Sequence, residues 1–424
     1  MKPLDGQRIA VIGGGVAGVV SAWLLSRRHR VTLFEKEPRL GGHTSTVVLE
    51  QGQDSGLPVD TGFIVCNDRS YPLFHRFLAQ LSVPVRKADM SFGFHDTLSG
   101  LQYAGTGFSG LFAQRSNLLR PGFWRLIKDV RRFHQAGARS LAAGDALGLS
   151  FGDWLAREGF RGAAVEQYIV PMGAAIWSAP FSGILSFPAE TYLRFFSNHG
   201  LLSVTDMPQW QTVVGGSHSY LKAFRAAFKG GLHLGAPVRR ITRHADRVDL
   251  LLSDASQHAY DQVVLAAHAD ESLALLGDPD GDEKRLLGAW RYQANETLLH
   301  TDVSVLPPLK AAWASWNYLR LADEASRPTV AVSYHMNRLQ GLKASREYIV
   351  SLNLGQRIDP AKVLRRFNYT HPVYSAETVA TQPLLPGLNG RRRTWFAGSY
   401  FRYGFHEDAV MSANAVGRAF GEAL

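Results

Sequence analysis

The first continuous apolar run of the chain lies within Arg8-Ile9-Ala10-Val11-Ile12, which reads as a short strand. A helix rich in Ala, Val and Leu follows, and Val31-Thr32-Leu33-Phe34 forms a second strand that ends at Glu35. Between the first strand and the helix, Gly13, Gly15 and Gly18 fill the pattern GxGxxG. Strand, glycine turn, helix, strand and acid in this order predict a dinucleotide site. Gly13 permits the tight turn, Gly15 lets backbone approach a pyrophosphate, and Gly18 lets the helix pack closely. Val16 and Ala17 open the helix, whose free N–H groups and positive dipole end would face the phosphates. Glu35, with Lys36 beside it, stands about 20 residues on, where a ribose contact is needed.

The same pattern reading places further elements. Trp210 to Tyr220 holds a strand and the Gly215-Gly216 turn, and a helix follows through Leu221, Phe224 and Phe228. Ala236 to Ile241 and Tyr260 to Ala267 read as strands. Ser150 with Asp153 resembles a capping box ahead of a helix with Trp154, Leu155 and Phe160 on its buried face. Trp313 to Tyr318 and Ser333 to Gln340 read as strands with alternate residues inward. Such aromatic and amide-bearing strands could line an apolar cavity, or pack as an ordinary sheet face.

A chain of 424 residues suits two domains rather than one core. The first apolar run is already the dinucleotide strand, so no signal peptide is expected, and no apolar stretch of about 18 residues exists to span a membrane. The single cysteine, Cys66, excludes an internal disulfide and cysteine-based clusters, and its neighbours Phe63, Ile64 and Val65 mark it as a small buried hydrophobe. A cytoplasmic protein without bound metal is the expectation. The formal charge of +10 concentrates on Arg115, Arg120, Arg125, Lys128, Arg131, Arg132 and Arg139, interleaved with Leu, Phe, Trp and Ile. A basic helix of this kind can lie on anionic phospholipid at the inner face of the cell membrane, or present a solvated face. No nucleic-acid-binding motif accompanies the charge.

After Glu35 comes Arg39-Leu40-Gly41-Gly42-His43-Thr44, a second glycine pair that could bring more amides against a phosphate-bearing cofactor. With Val59-Asp60-Thr61-Gly62, it resembles the flavin amine oxidase superfamily, which includes monoamine oxidases, protoporphyrinogen oxidases and carotenoid desaturases. Trp395-Phe396-Ala397-Gly398-Ser399 and Gly404-Phe405-His406-Glu407-Asp408-Ala409 resemble its closing flavin motif, with Ser399 replacing the usual acid. The resemblance implies FAD as cofactor and an α/β two-domain flavoprotein, a Rossmann-type FAD-binding domain interleaved with an α+β substrate domain. The implied FAD segments are 1–95, 205–290 and 385–424, and the implied substrate segments are 96–204 and 291–384. It also implies cofactor contacts from Arg39, Gly41, Gly42, His43, Thr44, Asp60, Thr61, Gly62, Val238, Gly398, Ser399, Glu407, Asp408 and Ala409. Pro171-Met172-Gly173-Ala174-Ala175-Ile176-Trp177 is similar to an apolar motif of the protoporphyrinogen oxidases and desaturases.

The whole chain resembles a bacterial group of FAD oxidoreductases encoded beside cyclopropane-fatty-acid synthase-like methyltransferases. The residues that carry this include Tyr71-Pro72, Met90-Ser91-Phe92, Trp316-Asn317-Tyr318 and Met336-Asn337-Arg338-Leu339-Gln340. The resemblance implies desaturation of a methylated or unsaturated fatty acyl chain of a phospholipid by hydride transfer to flavin N5. It also implies a methyltransferase or monooxygenase of the same pathway as partner, as in furan fatty acid formation. Trp177, Trp316, Tyr318 and Asn337 are the expected substrate contacts. His335, Tyr334 and His218 are the expected proton acceptors, since histidine titrates near working pH. The alternatives are an amine oxidase, for which Trp316, Tyr318 and Tyr334 could form a cage and Lys310 a lysine near N5, a double-bond isomerase, and a non-redox lipid-binding flavoprotein.

Overall fold

A computed structural model describes residues 6–203, 207–322 and 329–424, so the expected boundary at 204/205 lies outside the described residues. A five-stranded parallel sheet runs in the order Gly231–His233, Arg30–Phe34, Arg8–Ile12, Gln262–Leu265, Thr394–Phe396. Ile9, Ala10 and Val11 are fully buried at its centre, which is why that strand does not alternate. Helices Val16–Leu25 and His406–Ala419 pack together against it. An antiparallel meander of Val238–Arg243, Val248–Leu252 and Gln257–Tyr260 lies between its segments in the chain.

The second sheet has seven strands, ordered Val363–Val373, Arg291–His300, Ile349–Leu352, Val332–His335, Trp316–Arg320, Phe92–Asp96, Gln102–Ala104. Its pairs are antiparallel except Trp316–Arg320 with Phe92–Asp96, so the first segment of the chain already delivers a strand to this sheet. The expected α/β architecture of two interleaved units is the one observed. Helices between residues 108 and 198 pack on one end of this sheet, against Gln102–Ala104, Phe92–Asp96 and Trp316–Arg320. Their core is aromatic: Tyr192 stacks on Phe151 at 3.8 Å and on Phe196 at 4.2 Å, and Trp154 meets Phe133 edge-on at 6.0 Å. The Ser150 hydroxyl accepts the Asp153 N–H at 3.1 Å and so caps helix Phe151–Arg157 as expected.

One expected strand is shorter than its pattern suggests. Val332–His335 is extended, but Met336–Leu339 turns into a helix. The Asn337 amide donates to Arg346 O at 2.7 Å and accepts the Tyr348 N–H at 2.8 Å, tying this turn to the next loop while Met336 and Leu339 enter the core.

Candidate cofactor and substrate site

A cavity of about 1410 Å3 lies between the parallel sheet and the seven-stranded sheet with its helices. Ordinary ligand sites measure roughly 300–1,000 Å3, so there is room for a cofactor and a second ligand. One part of its wall comes from the glycine turns. Gly13 sits at φ +104°, and a Cβ there would lie 2.7 Å from Ala266 O, so no side chain fits. Gly18 does not reach the cavity; its role is contact, since a Cβ would stand 1.8 Å from Gly13 O. The Gly41 N–H donates to Gly14 O at 2.8 Å and thereby lays the second glycine loop on the first. The Arg39 guanidinium donates to Thr44 O at 3.0 Å and Gly42 O at 3.2 Å, holding that loop's shape.

Of the expected cofactor residues, Gly13, Gly15, Val16, Ala17, Glu35, Lys36, Arg39, Gly41, Gly42, His43, Thr61, Gly62, Val238, Gly398, Ser399 and Ala409 line the cavity. Thr44, Asp60, Glu407 and Asp408 stand behind the wall. Glu407 accepts the N–H groups of Leu73 and Phe74 at 2.9 Å each, and Asp408 accepts the Phe405 N–H at 2.9 Å, so both carboxyls cap helices. Burial raises each to about 7. Thr44 bonds the Tyr220 hydroxyl and His406 Nε2.

Asp60 is the hub beneath the Thr61-Gly62 wall. It accepts from the Ser217 N–H and hydroxyl, the Thr46 hydroxyl and the Gln340 amide, joining four segments in a fully buried site. Burial raises its carboxyl to about 6 despite these bonds. Asp60→Ala is expected to strand these buried donors and destabilise the protein by roughly 3 kcal/mol, with part of the flavin lost on purification. Chemical denaturation and flavin content measure both effects, and an unchanged unfolding midpoint would refute the role of hub.

The expected proton acceptors fare differently from the cofactor set. Tyr334 lines the cavity, but His335, the next residue of the strand, points to the opposite face and bonds Glu347 at 2.7 Å. His218 opens the helix behind Asp60 and is away from the cavity. Trp177 and Trp316 line it, whereas Tyr318 is buried against Phe94 and Asn337 is held by the 346–348 loop. Lys310 is exposed beside the Trp313 ring and does not line the wall. Cys66 is buried, and burial pushes its thiol up to about 12, so no thiolate forms.

Sequence reasoning missed two buried histidines on this wall, His134 and His199. His134 follows Leu126 and Val130 at i+8 and i+4 on the apolar face of helix Pro121–Ala143, and that position is the signal that could have found it. Its Nε2 lies 3.4 Å from the Tyr168 hydroxyl, on a π-helical turn at Val165–Ile169. His199 ends helix Ala189–Asn198, and its Nδ1 is 2.9 Å from Phe195 O. A carbonyl only accepts, so Nδ1 carries the hydrogen and Nε2 keeps its lone pair. Desolvation lowers both imidazoles to about 4, leaving them neutral at working pH.

FAD fits this cavity by a direct observation. A Cβ on Gly15 would meet nothing within 4 Å, so at the mouth of helix Val16–Leu25 the wall leaves open the space a phosphate needs. Glu35 accepts the Gly14 and Glu37 N–H groups yet still lines the wall with lone pairs for ribose hydroxyls. Val238 and Pro237 would flank the adenine side, and Ser399 with Ala409 the flavin side.

The sequence pattern of the family described as flavin containing amine oxidoreductase matches residues 16–300. The chain is 26% identical over 282 residues to AofH of Mycobacterium tuberculosis, named as a candidate flavin-containing monoamine oxidase; the match covers 64% of this chain and 59% of that protein. It is 28% identical over 285 residues to the carotenoid phi-ring synthase of Streptomyces griseus, covering 62% and 52%. The chain thus spans less than two thirds of the length of these curated relatives. Its fold is shared with the fatty acid isomerase of P. acnes that produces CLA, at TM-score 0.67 and 18% identity, over 97% of this chain and 98% of that one. The glycine cradle, the parallel sheet beneath it and the matched span together place this chain in the flavin containing amine oxidoreductase family, with FAD as its cofactor.

Proposed function

We propose that this protein is an FAD-dependent oxidoreductase that desaturates a methylated or unsaturated fatty acyl chain. The observation that carries this reading is the chemistry of the wall beyond the cofactor cradle. Phe92, Leu126, Ile127, Val130, Met172 and Ile176 line it, and the cavity's carboxylates among the described residues, Glu35, Glu37 and Glu271, all belong to segments around the cradle. An ammonium substrate would find no counter-ion on the apolar wall, where Arg131 would repel it, whereas a methylene chain is at home there. The same arginine suits the carboxylate or phosphate that an acyl chain carries at its head.

Bound FAD would supply the two-electron acceptor that desaturation requires. The chain must hold the acyl segment still, exclude water and take the proton that leaves the neighbouring carbon. Trp177 fixes one side, its indole N–H donating to Tyr403 O at 3.2 Å, and Phe405 of the closing motif packs near it at 6.3 Å. His199, whose ring lies 6.2 Å from Phe405, offers as proton acceptor an Nε2 lone pair that no hydrogen bond among the described residues engages. Tyr334 stays a neutral phenol because burial raises its pKa well above the usual value.

Anaerobic mixing of the flavoprotein with vesicles bearing methylated unsaturated acyl chains is expected to bleach the oxidised-flavin absorbance and leave a conjugated diene in the extracted lipid. Biogenic amines in parallel should leave it oxidised. Bleaching by amines alone would transfer the assignment to an amine oxidase. A shifted double bond with oxidised flavin at the end would mark an isomerase.

A further inference from the structure

The surface outside the apolar wall carries a second apolar feature that the reaction does not use. Phe108, Leu118, Leu119 and Trp124 are 71, 41, 88 and 49% exposed. They are contiguous: Phe108 packs on Phe112 at 4.8 Å, Phe112 on Trp124 at 5.3 Å, and the Trp124 indole N–H donates to Leu118 O at 2.9 Å. Phe112 also touches Phe123 at 5.7 Å, and Phe123 lines the cavity. The patch therefore continues into the substrate wall through two rings.

Charge surrounds it with one sign. Between Asp96 and Asp129 the sequence contains no acidic residue, while Arg115, Arg120, Arg125 and Lys128 are exposed and form no ion pair with any described residue. Trp124 and Lys128 stand at i and i+4 along one flank of helix Pro121–Ala143, with Arg120 capping its start, and the adjoining face, Phe123, Leu126, Ile127 and Val130, lines the cavity. Arg131 is exposed and lines the cavity too, so the flank runs to where the cavity meets solvent.

We propose that this patch docks on an anionic phospholipid bilayer and presents the cavity directly to the membrane. Exposed aromatic and aliphatic side chains ringed by unpaired cations suit an interface in which apolar groups enter the acyl boundary and cations meet lipid phosphates. A protein partner would have to match every cation with a placed carboxylate, whereas an anionic bilayer offers phosphates at any position. The docking deepens the acyl-chain reading: the substrate chain passes from the bilayer into the cavity without crossing water, with its head group left among the arginines.

The test uses the flavin-loaded protein and sedimentation with vesicles of phosphatidylcholine alone or mixed with phosphatidylglycerol. Bound protein should rise with phosphatidylglycerol and fall with salt. Changing Arg115, Arg120, Arg125 and Lys128 together to Gln should weaken binding by more than about a hundredfold, since each cation contributes about fivefold. Leu119→Ser with Trp124→Ser should weaken it at least about tenfold by removing the inserted apolar groups. Both variants should keep full flavin content and unfold cooperatively, the serine variant at a somewhat lower midpoint for its lost Phe112 contact, which separates lost docking from lost folding. Negligible sedimentation on both vesicles, or parental binding by both variants, overturns the proposal. A dimer that Leu119→Ser dissociates, without lipid binding, would assign the patch to a second copy and likewise overturn it. Docking without any lipid product would remove the acyl reading and leave the docking; product from detergent-dispersed chains without docking would do the reverse.

Discussion

Gly15→Val is expected to yield a folded chain that cannot hold FAD. Gly15 sits at φ −69°, ψ 177°, an extended conformation that valine adopts freely, and the space beyond its Cβ is open. The substitution therefore costs the apo fold little, about 1 kcal/mol for a poorer helix N-cap. That open space is where the diphosphate must approach the N–H groups of Val16 and Ala17, and an isopropyl group there holds it away from both amides and the helix dipole. Affinity should fall by about a hundredfold or more, roughly 3 kcal/mol. Gly18→Val provides the contrast, because its Cβ would collide with Gly13 O and the turn itself would fail. The pair is read by flavin titration and thermal denaturation of apoprotein. Full flavin occupancy in Gly15→Val, or apoprotein that no longer folds, would refute Gly15 as the point of diphosphate approach.

This contrast also explains what the sequence reveals. The cradle is legible because its constraints are local and steric: a turn, a close approach and a helix mouth fall within residues 13–18, and Glu35 follows at the end of the next strand. Gly13, Gly15 and Gly18 could be placed with no knowledge of the rest, whereas Val238 was placed only through the family resemblance. Residues that act through other segments were harder. Thr44, Asp60, Glu407 and Asp408 sit in the right motifs but support the wall from behind, because burial and hydrogen bonds to distant segments decide their role.

The substrate wall was less legible for a different reason. Strand alternation says that Tyr334 and His335 face opposite ways, but only the pairing of Val332–His335 with its neighbours says which one meets the cavity. Trp316 and Tyr318 share a face, yet the parallel partner Phe92–Asp96 brings Phe94 over Tyr318 and closes it off. His134 was visible in principle as a polar residue on an apolar helical stripe, but a lone histidine there is equally compatible with an ordinary buried side chain. Those same basic residues leave the helix with two occupations, an inner face for the cavity and an outer flank for solvent or lipid.

His199→Gln is expected to slow anaerobic flavin reduction by acyl substrate by a factor of about 10²–10⁴, the usual worth of a positioned general base. Of the two buried histidines on the wall, His134 has its Nε2 engaged by Tyr168, whereas His199 has Nδ1 committed to Phe195 O and Nε2 unengaged by hydrogen bonds among the described residues. Glutamine keeps a donor for that carbonyl and much of the ring's volume but has no basic nitrogen, so packing survives better than proton transfer. The pH profile gives the sign. The folded imidazole is lowered to about 4, so His199 is already deprotonated across pH 6–8 and itself adds no pH dependence there. As pH falls toward 4 the imidazole gains a proton, loses its lone pair, and the rate declines. The variant should lack this acid limb while retaining flavin and thermal stability. An acid limb unchanged in His199→Gln would assign it to another group, and an unchanged rate would dismiss His199 as the proton acceptor and return the question to Tyr334, the remaining expected acceptor that lines the cavity.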